Sequence, residues 1–150
     1  MPNRAAVVIG INYRDPSPPG DPPAPPSGAR PTPLRYAEDD AKAVAALLEA
    51  EGFQVTTLIG EAATEDAITG TIRQQSRAIS GPDSLLVVYF AGHGFMDPDD
   101  DRLAYLLPYN VAPDDLVSTA IPLENLDQRY ILPNRSALIL LVAHHYDCDG

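Results

Sequence analysis

Leu85-Leu86-Val87-Val88-Tyr89-Phe90 runs straight into Ala91-Gly92-His93-Gly94. Six consecutive β-prone side chains predict a strand buried on both faces, the pattern of a central strand in a parallel sheet. Two glycines then bracket one imidazole, which predicts a tight turn at the strand end. Open α/β sheets carry their chemistry beyond the carboxyl ends of the strands. A histidine held there, with no side chains on either neighbour, is able to meet a substrate carbonyl. Taken alone, the same three residues also read as a plain turn with a hydrogen-bonded histidine.

The segments around this strand alternate. Ala5-Ala6-Val7-Val8-Ile9-Gly10-Ile11 predicts a first buried strand. Residues 36–51 predict a helix with Ala37, Ala41, Val44, Leu47 and Leu48 on one face. Glu38, Asp39 and Asp40 place negative charge in its first turn, where the helix dipole favours it, and Gly52 stops it. Residues 53–58 alternate as a second strand. Thr64 is the expected N-cap of a second helix striped by Ile68, Ile72 and Ile79, interrupted by Gly70 and ended by Gly81-Pro82. After the central strand come an acidic loop at 95–102, a short strand at 105–108, a short helix within 121–128 and a last buried strand, Ala137-Leu138-Ile139-Leu140-Leu141-Val142. Strands alternating with helices predict a mostly parallel sheet with helices on both faces.

Nine prolines fall within residues 14–33, which excludes a helix or a central strand there and predicts a solvated surface insertion. The whole chain, 150 residues with 45% hydrophobic side chains, fits one domain with a real core. A net charge of −11 argues against nucleic acid and against an anionic membrane surface as partners. No apolar run approaches the roughly 18–20 residues that a membrane span needs. Cys148 is the single cysteine, so no intrachain disulfide forms. With no signal-peptide pattern at the start, this predicts a cytoplasmic protein.

Five short motifs occur in order: Val8-Ile9-Gly10-Ile11-Asn12-Tyr13, Tyr36-Ala37-Glu38-Asp39-Asp40-Ala41, Gly52-Phe53, Tyr89-Phe90-Ala91-Gly92-His93-Gly94 and Tyr105-Leu106-Leu107-Pro108-Tyr109. Each is weak alone. Together they resemble the caspase and metacaspase family of cysteine peptidases (peptidase C14 type) in its bacterial form, over about residues 5–142. The resemblance implies an α/β fold, a three-layer caspase-like sandwich with a mostly parallel central sheet and helices on both faces. It implies that His93 is the catalytic histidine, that Gly94 contributes a backbone N–H to the oxyanion hole, and that the nucleophilic cysteine follows the last strand. The chemistry needs these parts. A thiol becomes a strong nucleophile beside a base or an imidazolium, and the charge developing on the carbonyl oxygen needs donors already in place.

The resemblance further implies that an aspartate at the start of the first helix, here Asp40, lines a pocket for a basic residue before the scissile bond. A carboxylate pairs well with Arg or Lys. Asp40 reads equally as an ordinary helix N-terminal carboxylate. Some metacaspases are activated by calcium, and Asp97, Asp99, Asp100 and Asp101 offer carboxylates. They lack the spacing and glycine of a formal calcium loop, so a solvated acidic turn is the reading, with no cofactor required.

The end of the chain departs from the family pattern. Members read Asp, any residue, Cys at the end of the last strand, where the ungapped register here supplies Val142 and His144. Cys148 stands four residues beyond, roughly 13 Å along an extended chain. Asp147 and Asp149 flank it, and negative neighbours disfavour a thiolate. Cys148 is nevertheless the candidate nucleophile, being the only thiol. His144-His145-Tyr146-Asp147-Cys148 contains zinc ligand types but forms one cluster where a structural site needs two, so no metal is expected. The family sheet continues past this point with about two more strands. The expectation is therefore an incomplete domain whose last strand, Ala137 to Val142, lies on an open edge available for pairing.

Two functions follow. One is a cysteine endopeptidase acting on peptide or protein substrates through His93 and Cys148. The other is a catalytically inactive relative that binds or regulates. A third reading, an unrelated α/β small-molecule binder, lacks the glycine-rich phosphate loop after the first strand, where Gly10 stands alone.

Overall fold

A computed structural model describes residues 3–14, 31, 33–79, 81, 83–97, 99–112, 114–126, 128 and 136–145, with backbone alone at 100–103, 140, 141 and 143–145. Most of the proline-rich segment at 14–33 and the whole of 146–150, including Cys148, lie outside the described residues. In chain order the elements are β1 (Arg4–Gly10), α1 (Ala37–Ala50), β2 (Gln54–Ile59), a 3-10 turn at Gly60–Ala62 and α2 (Glu65–Ala78). They continue as β3 (Leu85–Asp97), β4 (Asp100–Leu106), α3 (Leu116–Thr119), β5 (Ile121–Pro122), α4 (Leu123–Asn125) and β6 (Ser136–His145).

The strands form one mixed sheet in the order β2-β1-β3-β4-β5, with β6 also paired to β3. β2, β1, β3 and β6 run parallel; β4 and β5 are antiparallel. The chain steps from β1 outward to β2, then back past β1 to β3. Right-handed crossovers in opposite directions put their helices on opposite faces. Accordingly α1 covers Ala6, Val8, Val87, Tyr89 and Ala91. The face carrying Val7, Ile9, Leu86, Val88 and Phe90 packs against Ile68 and Ile72 of α2. Alternate residues of one strand thus feed two cores, which is why the central run lacks polar positions.

Small residues set how closely α1 approaches. A Cβ on Gly10 would sit 2.5 Å from the Ala41 Cβ and 2.8 Å from the Ala37 carbonyl oxygen. Ala37, Ala41 and Ala45 form the buried row of α1, while Leu47 is 62% exposed. The expected helix face is corrected there: the row at spacing four is the one that meets the sheet, and Leu47 lies two positions off it. The second helix has its expected start, since the Thr64 Oγ1 accepts from the Ala67 N–H at 3.3 Å. Ile79 lies just past the helix in extended backbone and is fully buried.

Two further expectations change. Gly92-His93-Gly94 is not a turn. β3 continues through it for seven residues beyond Phe90, and neither glycine has positive φ. The segment read as an acidic loop at 95–102 is the tip of a β3–β4 hairpin, with Asp97 opposite Asp100 and a register shift after Met96. Glycine next to a strand reads locally as punctuation, but partners on both sides keep this backbone extended. The short helix expected within 121–128 is preceded by a two-residue strand and spans Leu123–Asn125.

Candidate active site

Gly94 pairs with Leu106 of β4 on one side and with His145 of β6 on the other. β4 and β6 therefore flank β3 on opposite edges, and β4 occupies the edge that β1 leaves at Gly10. This is the carboxyl end of the parallel strands. The Ile11 N–H donates to the Ala91 carbonyl at 3.0 Å, the last bond before the chain departs from the sheet. Asn12 then binds the start of α1 in both directions. Its N–H donates to the Glu38 carboxylate at 2.8 Å, and its Oδ1 accepts from the Glu38 N–H at 3.1 Å. This reciprocal pair has the logic of a capping box spread over distant residues.

Tyr13 follows with φ of 59°, the left-handed region, uncommon for a bulky side chain. It is 1% exposed. Its hydroxyl donates to the Leu107 carbonyl at 2.6 Å and accepts from the His93 N–H at 2.8 Å. The His93 carbonyl accepts from the Leu107 N–H at 3.1 Å. His93 is 5% exposed, and its ring lies 4.9 Å from the Tyr13 ring, centre to centre. Burial pushes the Tyr13 phenol well above its ordinary range, against a smaller lowering by the bond from the His93 backbone. It stays a neutral donor at any ordinary pH.

Asp40 is exposed in the first turn of α1. Burial, and secondarily the negative charge of Asp40, push the Tyr89 phenol up. Tyr89 and His93 are four residues apart on one strand, so they share a face. Asp40 and His93 thus belong to the same face of the sheet, near its carboxyl edge. On β6, Val142 pairs with Ala91 and His144 with His93. The strand position beside His93 is therefore held by His144. Cys148 lies outside the described residues. Among the described residues, no three His, Cys, Asp or Glu side chains converge as a metal-binding set, and no helix is long and apolar enough to cross a membrane.

Tyr13 and Asn12 are the site residues that sequence reasoning missed. A signal for Tyr13 exists in Gly92, since glycine inside a strand marks a close approach of other atoms. A Cβ there would meet the Tyr13 hydroxyl at 2.7 Å and the Phe90 Cζ at 2.9 Å.

Comparison with known proteins bears on this arrangement. The family model of the caspase domain, peptidase C14, matches residues 3–141. Among solved structures, a crystal structure of a protein from Geobacter sulfurreducens superposes with a TM-score of 0.65 at 20% identity. The match covers 96% of this chain and 50% of that one, so the chain spans about half the length of that relative. No curated protein matches the chain.

Proposed function

The chain belongs to the caspase-domain family, and from that premise we propose that it is a cysteine-type endopeptidase domain centred on His93. The observation that carries the reading is the placement of a buried histidine at the carboxyl edge of the parallel strands, on the same sheet face as the Asp40 carboxylate. In this reading His93 accepts the proton of the Cys148 thiol, and the thiolate attacks the scissile carbonyl. His93 then returns the proton to the leaving amine. Gly94 supplies one oxyanion donor. Asp40 draws a basic side chain into the preceding pocket, giving a preference for Arg or Lys. The fold is a three-layer caspase-like sandwich, the substrate a peptide or protein, and the outer edge of β6 takes a further strand.

A second reading has its own support. His144, not a cysteine, is paired with His93, and Gly94 has a strand partner on each side. A domain built this way binds peptide without cleaving it.

Turnover of Arg-, Lys- and Asp-containing peptides, with and without calcium, separates the two. The peptidase reading expects cleavage that is lost in His93→Ala and in Cys148→Ser. Absence of cleavage in the parent, together with activity gained in Val142→Asp/His144→Cys, establishes the inactive module on an intact scaffold. Cleavage that survives Cys148→Ser overturns the assigned nucleophile.

A further inference from the structure

We infer that Tyr13 is a positioning residue: its hydroxyl replaces a missing strand partner and fixes the backbone of His93, and through it the imidazole. The inference deepens the peptidase reading and rests on it for the role of His93.

Three observations carry it. First, β1 stops supporting β3 just before His93. The Ile11 N–H reaches Ala91, but the Asn12 carbonyl already turns away to accept from the Leu34 N–H at 2.8 Å. Second, β4 reaches His93 with only half of a pair. In a regular antiparallel hydrogen-bonded pair two residues exchange both of their N–H···O bonds. Leu107 gives its N–H to His93 directly, but the returning bond is opened, and the Tyr13 hydroxyl sits inside it at 2.8 and 2.6 Å. Third, space has been cleared for this phenol at some cost. Tyr13 adopts φ of 59°, and only a glycine at 92 leaves room, since a Cβ there would come within 2.7 Å of the hydroxyl. Backbone conformations of this kind persist where surrounding structure enforces them, often beside functional groups.

The inserted hydroxyl holds β1 and β4 apart while leaving no free backbone group on that side of His93. A crevice can open at the sheet edge without the histidine gaining freedom. The ring contact adds a second restraint on the same residue. A base held by two restraints has fewer orientations to search, and small misplacements of a catalytic group are costly in rate.

Tyr13→Phe keeps the ring and deletes the hydroxyl. The expected result has two parts. The His93 imidazole resonances, followed by NMR, move, and their titration midpoint moves by about 0.3 pH units or more, a modest fraction of a tenfold change. With peptides carrying a basic residue, kcat per folded molecule falls about tenfold or more while KM stays within about twofold. A purely structural tyrosine lowers the melting temperature and leaves the His93 resonances, their midpoint and kcat as in the parent, and that result overturns the inference. If the parent shows no turnover, the peptidase reading fails, and the NMR arm still decides on Tyr13. If Tyr13→Phe does not fold, amide hydrogen exchange of the parent decides instead: the His93 N–H, which donates to the Tyr13 hydroxyl, is expected to be protected, and exchange at the rate of an open amide overturns the inference.

Discussion

The two sides of His93 are built to different standards. On the β1–β4 side, Tyr13, Phe90, Leu106 and Leu107 are at most 2% exposed. The His93 N–H and carbonyl on that side both have partners within 3.1 Å. On the β6 side the ladder follows β3 for ten residues, but Leu138 is 47% and Val142 46% exposed. The half that holds His93, the proposed base, is over-determined by packing and hydrogen bonds. The β6 half, which the proposed nucleophile would follow, is held by its ladder to β3, with Leu138 and Val142 about half exposed. Among the described residues, the first half is packed on the core and the second is held mainly by strand pairing.

The largest expected effect tests that difference directly. Phe90→Ala removes a fully buried ring from the β3 core and is expected to destabilise the fold by about 3–5 kcal/mol. Leu138→Ala on β6, half exposed, is expected to cost about 1 kcal/mol or less, because only part of the side chain leaves water on folding. Urea titration of both variants checks this. Comparable losses at the two sites would mean that β6 is as well covered as β3, and that the two sides of His93 are alike.

A smaller effect is expected where β1 meets α1. Gly10→Ala forces a methyl against the Ala41 Cβ and the first turn of α1. Overpacking of this kind costs about 1–3 kcal/mol. Since α1 carries Asp40, the displacement also reaches the proposed specificity pocket. The measurement is thermal unfolding beside the ratio of kcat/KM for Arg and Ala peptides. A stability loss with an unchanged ratio would detach Asp40 from substrate selection.

These contrasts bear on how much of the molecule was legible beforehand. β3 was legible because six consecutive apolar β-formers leave little else, and Thr64 because capping is a local bond between neighbours. The pairing of His144 with His93 was within reach too, since continuous strands transmit register without gaps. What failed was local reading of glycine. Gly92 and Gly94 look like punctuation, yet β4, Tyr13 and β6 keep the backbone extended through them. Tyr13 left only an indirect trace, the glycine at 92 that clears room for it, because its role depends on Leu107, 94 residues away. A hydrophobic pattern records which residues are buried; it does not record which hydroxyl stands in for a strand.

The smallest effect is the one most specific to the rigid side. Tyr13 and Tyr89 both have phenols raised by burial in the folded protein, while in the unfolded chain they ionise near pH 10. Above that value the unfolded state gives up protons that the folded state keeps. Stability therefore falls as pH rises, and for the deeply buried Tyr13 the slope approaches about 1.4 kcal/mol per pH unit. Below pH 10 this contribution is fully present and flat. Tyr13→Phe removes one titrating group, so its stability is lower at neutral pH but declines less steeply between about pH 10 and 11. Denaturant titrations at several alkaline pH values give the two slopes. Parallel slopes would mean that the phenol is already ionisable in the folded state. Tyr13 would then not be sealed between His93 and Leu107, and the side of the site taken as rigid would be open to water.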